Sequence, residues 1–203
     1  TGMETLCMSM DVLGRPYNLL SISDTNAGCR RFVEENFQPK EIRDCAEITP
    51  MDQCKNCDLY CAGFPCQDFS YNNTARTGTS SDRGQAYHLC VERIKLLKPK
   101  RFILENVPAF ANYDSGQLLS TLSKNLQEAG YNVYSKILSA IHFSVPQNRK
   151  RLFIVGIRQD LDPGGFRFPT GTGTTDLDTI LDPPRAGDSI LNFPDGAVAR
   201  RHV

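Results

Sequence analysis

Arg101-Phe102-Ile103-Leu104-Glu105-Asn106-Val107 is the stretch that decides the fold. Its apolar residues run on without the in-out alternation of a half-exposed strand, as expected of a parallel strand covered on both faces. Upstream of it, Tyr87, Cys90, Val91, Ile94 and Leu97 fall on one helical face, and Pro99 ends that pattern. Downstream, Leu118, Leu119, Leu122, Leu126 and Ala129 define a second helix with Gly130 as its cap. Two further strands are predicted at 131–138 and 151–158. Working back towards the start, Asp58 to Gly63 reads as a strand ending in glycine. A helix is predicted over 26–35, and a short strand over 19–23 closes on Asp24. The segment from Met3 to Leu13 reads as a helix stopped by Gly14. Strands alternating with helices in this way predict an open α/β sheet. From Asp162 onward the chain is rich in Gly, Pro, Thr and Asp and reads as a domain edge or linker.

The composition fits that fold class. Of 203 residues, 40% are hydrophobic and 23% charged, ordinary for a globular protein and far from a disordered one. A chain of this length can bury roughly 70% of its unfolded surface. Lys plus Arg and Asp plus Glu both number 23, so the formal charge is zero. Any nucleic-acid partner must therefore be held by a local patch. The apolar runs are too short for a membrane-spanning helix, and Thr1-Gly2-Met3-Glu4 does not read as a signal peptide. Neither feature suggests a membrane partner. The eight cysteines are not needed as staples at this length, which points to a reducing compartment. Cys54 and Cys57 have metal-ligand spacing but no second pair downstream, so two surface thiols are expected there and no metal.

Ligands of open α/β sheets gather at the carboxyl ends of strands. Three such ends carry chemistry: Asp24, Gly63-Phe64-Pro65-Cys66-Gln67 and Glu105-Asn106-Val107. A cysteine just after a strand and beside a proline suits a nucleophile, though a thiol tucked into a loop has the same sequence. A carboxylate ending a buried strand needs a partner or a task. In Gln147-Asn148-Arg149-Lys150-Arg151, alternation puts Arg149 and Arg151 on one side of an extended stretch. Residues 67–83 are polar and aperiodic, and a loop that long is usually functional or mobile.

Gly63-Phe64-Pro65-Cys66-Gln67-Asp68-Phe69-Ser70, Glu105-Asn106-Val107 and Gln147-Asn148-Arg149-Lys150-Arg151 together resemble the motifs of the DNA cytosine-5 methyltransferases, in that family's order. Arg83-Gly84 and Lys98-Pro99-Lys100 match its connecting pattern. The resemblance implies a Rossmann-like S-adenosylmethionine-dependent methyltransferase fold, with a mostly parallel sheet and helices on both faces, incomplete at both ends. It implies a partial catalytic domain over 1–182, with 183–203 beginning a target-recognition region or linker. In the family, a further strand lies between the one ending at Asp24 and the one ending at Gly63.

The resemblance also implies roles. Cys66 would attack carbon 6 of a cytosine, and Glu105 would engage ring nitrogen 3 and the exocyclic amine. Arg149 and Arg151 would hold the base carbonyl and the catalytic loop, and Pro65 would shape the pocket. S-adenosylmethionine would be the methyl donor and S-adenosylhomocysteine the product. Gly2, Asp24, Asp44, Cys45, Gly63 and Pro65 would line the cofactor site. Asp24 would receive the ribose hydroxyls, at a position where the family usually has glutamate, and Asp44 would lie near the adenine amine. Gly2 would be the last residue of the family's glycine turn, and Asn36-Phe37 supports that register. The partner would be DNA with its target cytosine flipped out of the stack, with 67–83 closing over the base. The site of action would be intracellular: the nucleus of a eukaryote, or the cytoplasm or nucleoid of a bacterium. Other readings are a catalytically inactive binding or scaffold module, a tRNA cytosine-5 methyltransferase, and a thiol-redox enzyme using Cys54 and Cys57. The last has no supporting motif, and the run after Cys66 looks more like the DNA-directed members.

Overall fold

The computed structural model describes residues 5–40, 42–43, 57–64 and 86–176. In chain order the elements are α1 (Thr5–Val12), β1 (Ile22–Ser23), α2 (Ala27–Phe37), β2 (Ile42–Arg43), β3 (Leu59–Gly63), α3 (Ala86–Leu97), β4 (Arg101–Asn106), α4 (Pro108–Asn112), α5 (Gln117–Glu128), β5 (Tyr131–Ser139) and β6 (Lys150–Arg158). Short 3-10 turns lie at Tyr113–Gly116 and Ala140–His142. Among these helices, none is long and apolar enough to cross a membrane.

Two sheets form. β1 and β2 pair in parallel, and a four-stranded sheet has the order β3-β4-β6-β5. Within the larger sheet β3 and β4 are parallel, whereas β6 runs antiparallel to both β4 and β5. The expectation of a mostly parallel sheet is thus corrected. The connection from Ser139 to Lys150 is too short for a crossover helix, so β6 must return in the opposite direction, and it inserts between β4 and β5.

The core lies on one face of this sheet. Phe102 and Leu104 from β4, Tyr131 from β5, and Leu152 and Ile154 from β6 pack against Ile94, Phe110, Leu122 and Leu126 of α3, α4 and α5. The opposite face carries Leu59, Ile103, Phe153, Val155 and Ile157, which line a cleft of about 660 Å³. No α-helix of the described residues lines that cleft. β4 accordingly alternates, with Phe102, Leu104 and Asn106 buried and Ile103 and Glu105 half-buried.

The described part of the segment after Asp162, up to residue 176, packs at the edge of the domain, the first of the two readings given for it. Asp162 Oδ2 accepts hydrogen bonds from Asn132 Nδ2 and the Tyr134 hydroxyl, both at 2.7 Å, and Oδ1 accepts the Gly164 N–H at 3.0 Å. Those donors hold the Asp162 carboxyl below the usual carboxylate range, the tyrosine hydroxyl most strongly. Phe166 then packs on Tyr134 at 5.0 Å and Phe168 on Phe166 at 5.1 Å. Side-chain hydrogen bonds and tilted, edge-on ring contacts fold this stretch back over the sheet, and neither leaves a periodic pattern in the sequence. Of the cysteine pair, Cys57 is corrected from a surface thiol to a buried one beside Leu97, Leu20 and Tyr60. Cys54 lies outside the described residues.

Candidate active site

The site is built where β3 and β4 end side by side. Gly63, the last residue of β3, is the register partner of Glu105. A Cβ at Gly63 would come within 3.3 Å of Glu105 Oε2, so glycine leaves the carboxylate its room. β4 pairs with β6 on its other side, and that pairing brings the arginines across. Arg151 Nε lies 2.7 Å from Glu105 Oε1, and Arg149 Nη2 lies 4.0 Å from the same oxygen. Arg151 is further fixed by donating from Nη1 to the Lys150 carbonyl at 2.8 Å. Glu105 is 35% exposed, Arg151 25% and Arg149 51%. A half-buried carboxylate with one firm guanidinium partner and one at longer range remains reachable from solvent, and both arginines border the apolar cleft.

Asn106 contributes a feature to which the sequence reading assigned no role. It is 2% exposed in the core of an apolar region. Its Nδ2 donates to the Phe64 carbonyl at 3.2 Å, and its Oδ1 accepts the Val107 N–H at 2.8 Å. Phe64 itself is buried and packs edge-on against Phe110, with ring centroids 5.3 Å apart. The last residue before Pro65-Cys66 is thereby pinned to the end of β4. The signal was an amide inside an otherwise apolar strand, since such a group must find partners when buried. Val107 does not continue the strand: it caps α4, with Pro108 in the first helical position.

Asp24 sits apart from this cluster, at the carboxyl end of β1 in the smaller sheet. Its Oδ1 accepts the Asn26 N–H at 2.8 Å, and its carbonyl accepts from Arg30 Nη1. Asn26 caps α2 through Gly28 and Cys29. The carboxylate thus belongs to an ordered turn between strand and helix, and as a pure acceptor it fits the hydroxyls of a ribose. Arg93 of α3 donates from Nη1 to Ser23 Oγ at 3.0 Å and ties the end of β1 to the larger layer. The structure therefore brings together Gly63, Glu105, Arg149 and Arg151, and places Asp24 on a separate sheet. Gly2, Asp44, Cys45, Pro65 and Cys66 lie outside the described residues, as do the loop at 67–83 and the segment 183–203.

Compared with known proteins, residues 2–186 match the family of C-5 cytosine-specific DNA methylases. The chain is 37% identical over 155 residues to the type II methyltransferase M.NlaX of Neisseria lactamica, covering 74% of this chain and 45% of that protein. It is 37% identical over 161 residues to the type II methyltransferase M.HaeII of Haemophilus aegyptius, covering 79% and 49% respectively. The chain thus spans about half the length of these curated relatives. Among solved structures, the Entamoeba histolytica methyltransferase EhMeth is similar with a TM-score of 0.71 at 19% identity, over 91% of this chain and 58% of that one. The Schizosaccharomyces pombe Dnmt2 methyltransferase is similar with a TM-score of 0.63 at 20% identity, over 81% and 49%. These likenesses show the fold: α/β and Rossmann-like, with the mixed sheet described above.

Proposed function

Because the chain belongs to the C-5 cytosine-specific DNA methylases, we propose that the protein carrying it methylates carbon 5 of cytosine in DNA through a covalent cysteine adduct, inside the cell. The observation that carries this reading is the Glu105 carboxylate, held 2.7 Å from Arg151 at the end of β4, directly across from Gly63. Two residues beyond Gly63, the chain reaches Pro65-Cys66 from a Phe64 that Asn106 holds in register.

In this reading the Cys66 thiolate adds to carbon 6 of a cytosine turned out of the duplex, which is the only way both ring faces become reachable. Glu105 engages ring nitrogen 3 and the exocyclic amine, and Arg151 fixes the carboxylate so that it need not reorganise as charge builds on the ring. Arg149 and Arg151 orient the base through its carbonyl. Carbon 5 takes up the methyl group, then gives up its proton to a base, and the carbon–sulfur bond breaks to return Cys66. S-adenosylmethionine supplies the methyl group when bound. Asp24 would hold its ribose, Asp44 would lie near the adenine amine and Gly2 would belong to the turn beneath the methionine end, with Cys45, Gly63 and Pro65 lining the rest of the site.

The test is trapping on duplex DNA that carries 5-fluorocytosine, whose fluorine blocks loss of the group at carbon 5. The full-length protein should form a denaturant-resistant adduct that Cys66→Ser abolishes and Cys61→Ser leaves intact. An adduct that survives loss of Cys66 overturns the assignment of the nucleophile. No adduct and no methyl transfer from the unaltered protein would point to an inactive binding module.

A further inference from the structure

The turn that delivers Arg149 is closed from two sides. At its base the Ala140 N–H donates to the Arg149 carbonyl at 2.9 Å, just beyond the Ser139–Lys150 pair that ends the β5–β6 ladder. On its outer arm Phe143 forms a parallel bridge with Gly173. The Ser144 N–H donates to the Gly173 carbonyl at 3.0 Å, and the Gly173 N–H donates to the His142 carbonyl at 3.3 Å. Gly171 lies so near this arm that an added Cβ would stand 2.5 Å from the His142 carbonyl oxygen. Ser144 at φ +59° and Gly173 at φ +129° both hold backbone conformations that L side chains rarely adopt. The strand of chain that supplies Gly171 and Gly173 follows directly on the stretch anchored by Asp162.

Arg149 and Arg151 differ in what fixes them. Arg151 has a short ion pair and a main-chain hydrogen bond of its own, whereas Arg149 is half-exposed and 4.0 Å from Glu105. The orientation of Arg149 is therefore set by the turn it leaves. We propose that Gly171 and Gly173 are positioning residues for Arg149, locking the 140–149 turn against the returning chain. This rests on the reading of Arg149 as a base-holding group.

Two measurements on the full-length protein test it. Amide hydrogen exchange across 140–149 should rise at least about tenfold in Gly171→Ala while β4 stays protected. Unchanged exchange overturns the proposal whether or not the protein transfers methyl groups. In single-turnover methyl transfer, Gly171→Ala should slow the reaction by about 10- to 100-fold, the scale of a small misplacement. In an Arg149→Ala background the same change should alter the rate by less than about twofold, because coupled sites are not additive. Equal losses in both backgrounds would mean a general structural role and sink the positioning role. If Gly171→Ala does not fold, Gly173→Ala serves, since no atom lies within 4 Å of its added Cβ and only its φ is strained. The same background dependence is expected of it, with a smaller loss, and a background-independent loss overturns the proposal.

Discussion

The four-stranded sheet and the two-stranded sheet are built on different scales. β3, β4, β6 and β5 enclose a continuous core in which Ile94, Phe102, Leu104, Phe110, Leu122 and Leu126 are fully buried. β1 and β2 pair over two residues each, and the elements around them bury Cys7, Ile22 and Val33. A two-stranded sheet is marginal in water by itself. The residues proposed to handle the base stand on the first structure, and the acid proposed to hold the cofactor stands on the second, tied to it through Arg93 and Ser23. The difference teaches that, among the described residues, the groups proposed to handle the base rest on the large buried core, while the proposed cofactor acid is held by local contacts, the Asn26 turn and the Arg93–Ser23 hydrogen bond.

The comparison breaks most readily in the core. Phe110→Ala should cost about 3–5 kcal/mol, because it empties the space between Phe64 and Tyr87. Val33→Ala in α2 removes only two buried carbons and should cost about 2 kcal/mol. Urea unfolding compares them, and equal midpoint shifts would show that the larger sheet does not dominate stability. Next in size is Asn106→Ala, which leaves the Phe64 carbonyl and the Val107 N–H without their buried partner. It should cost about 1–3 kcal/mol by the same method and slow methyl transfer as well. A stable variant with full activity would show that the pin on Phe64 is dispensable.

The smallest effect is at Tyr131, whose hydroxyl donates to the Pro99 carbonyl at 2.8 Å. Burial, above all, pushes this phenol from its ordinary value of 10 up to about 12. The neutral form is favoured by folding, so its contribution is complete below pH 10 and is lost as the pH rises through 12. Tyr131→Phe should cost about 1 kcal/mol at neutral pH. It should also weaken the alkaline loss of stability between pH 10 and 12, and an unchanged alkaline slope would exclude Tyr131 as a source of it.

Much of the larger sheet was legible in the sequence because its helices have clean periodicity. Leu118, Leu122 and Leu126 recur at helical spacing, and all three are buried. Glu105 was legible because an acid at the end of an apolar strand is conspicuous. Strand direction was not, since the same apolar residues serve a parallel or an antiparallel β6, and only the short connection from Ser139 decides between them. β2 and α4 are too short to show a period. Asp162 and Phe166 act through partners some thirty residues upstream in β5, and Gly171 through its approach to His142, none of which local spacing records.

The most direct test of the base chemistry proposed for Glu105 and Arg151 is Glu105→Gln, measured twice on the full-length protein. Single-turnover methyl transfer should fall by about 10²- to 10³-fold, the usual loss when a group that acts on developing charge is removed. The dissociation constant for S-adenosylmethionine should stay within about twofold of the unaltered protein, because the loss belongs to the chemical step and not to cofactor binding. An unchanged transfer rate, or a loss of cofactor affinity as large as the loss of rate, would contradict the placement of the base chemistry at Glu105 and Arg151.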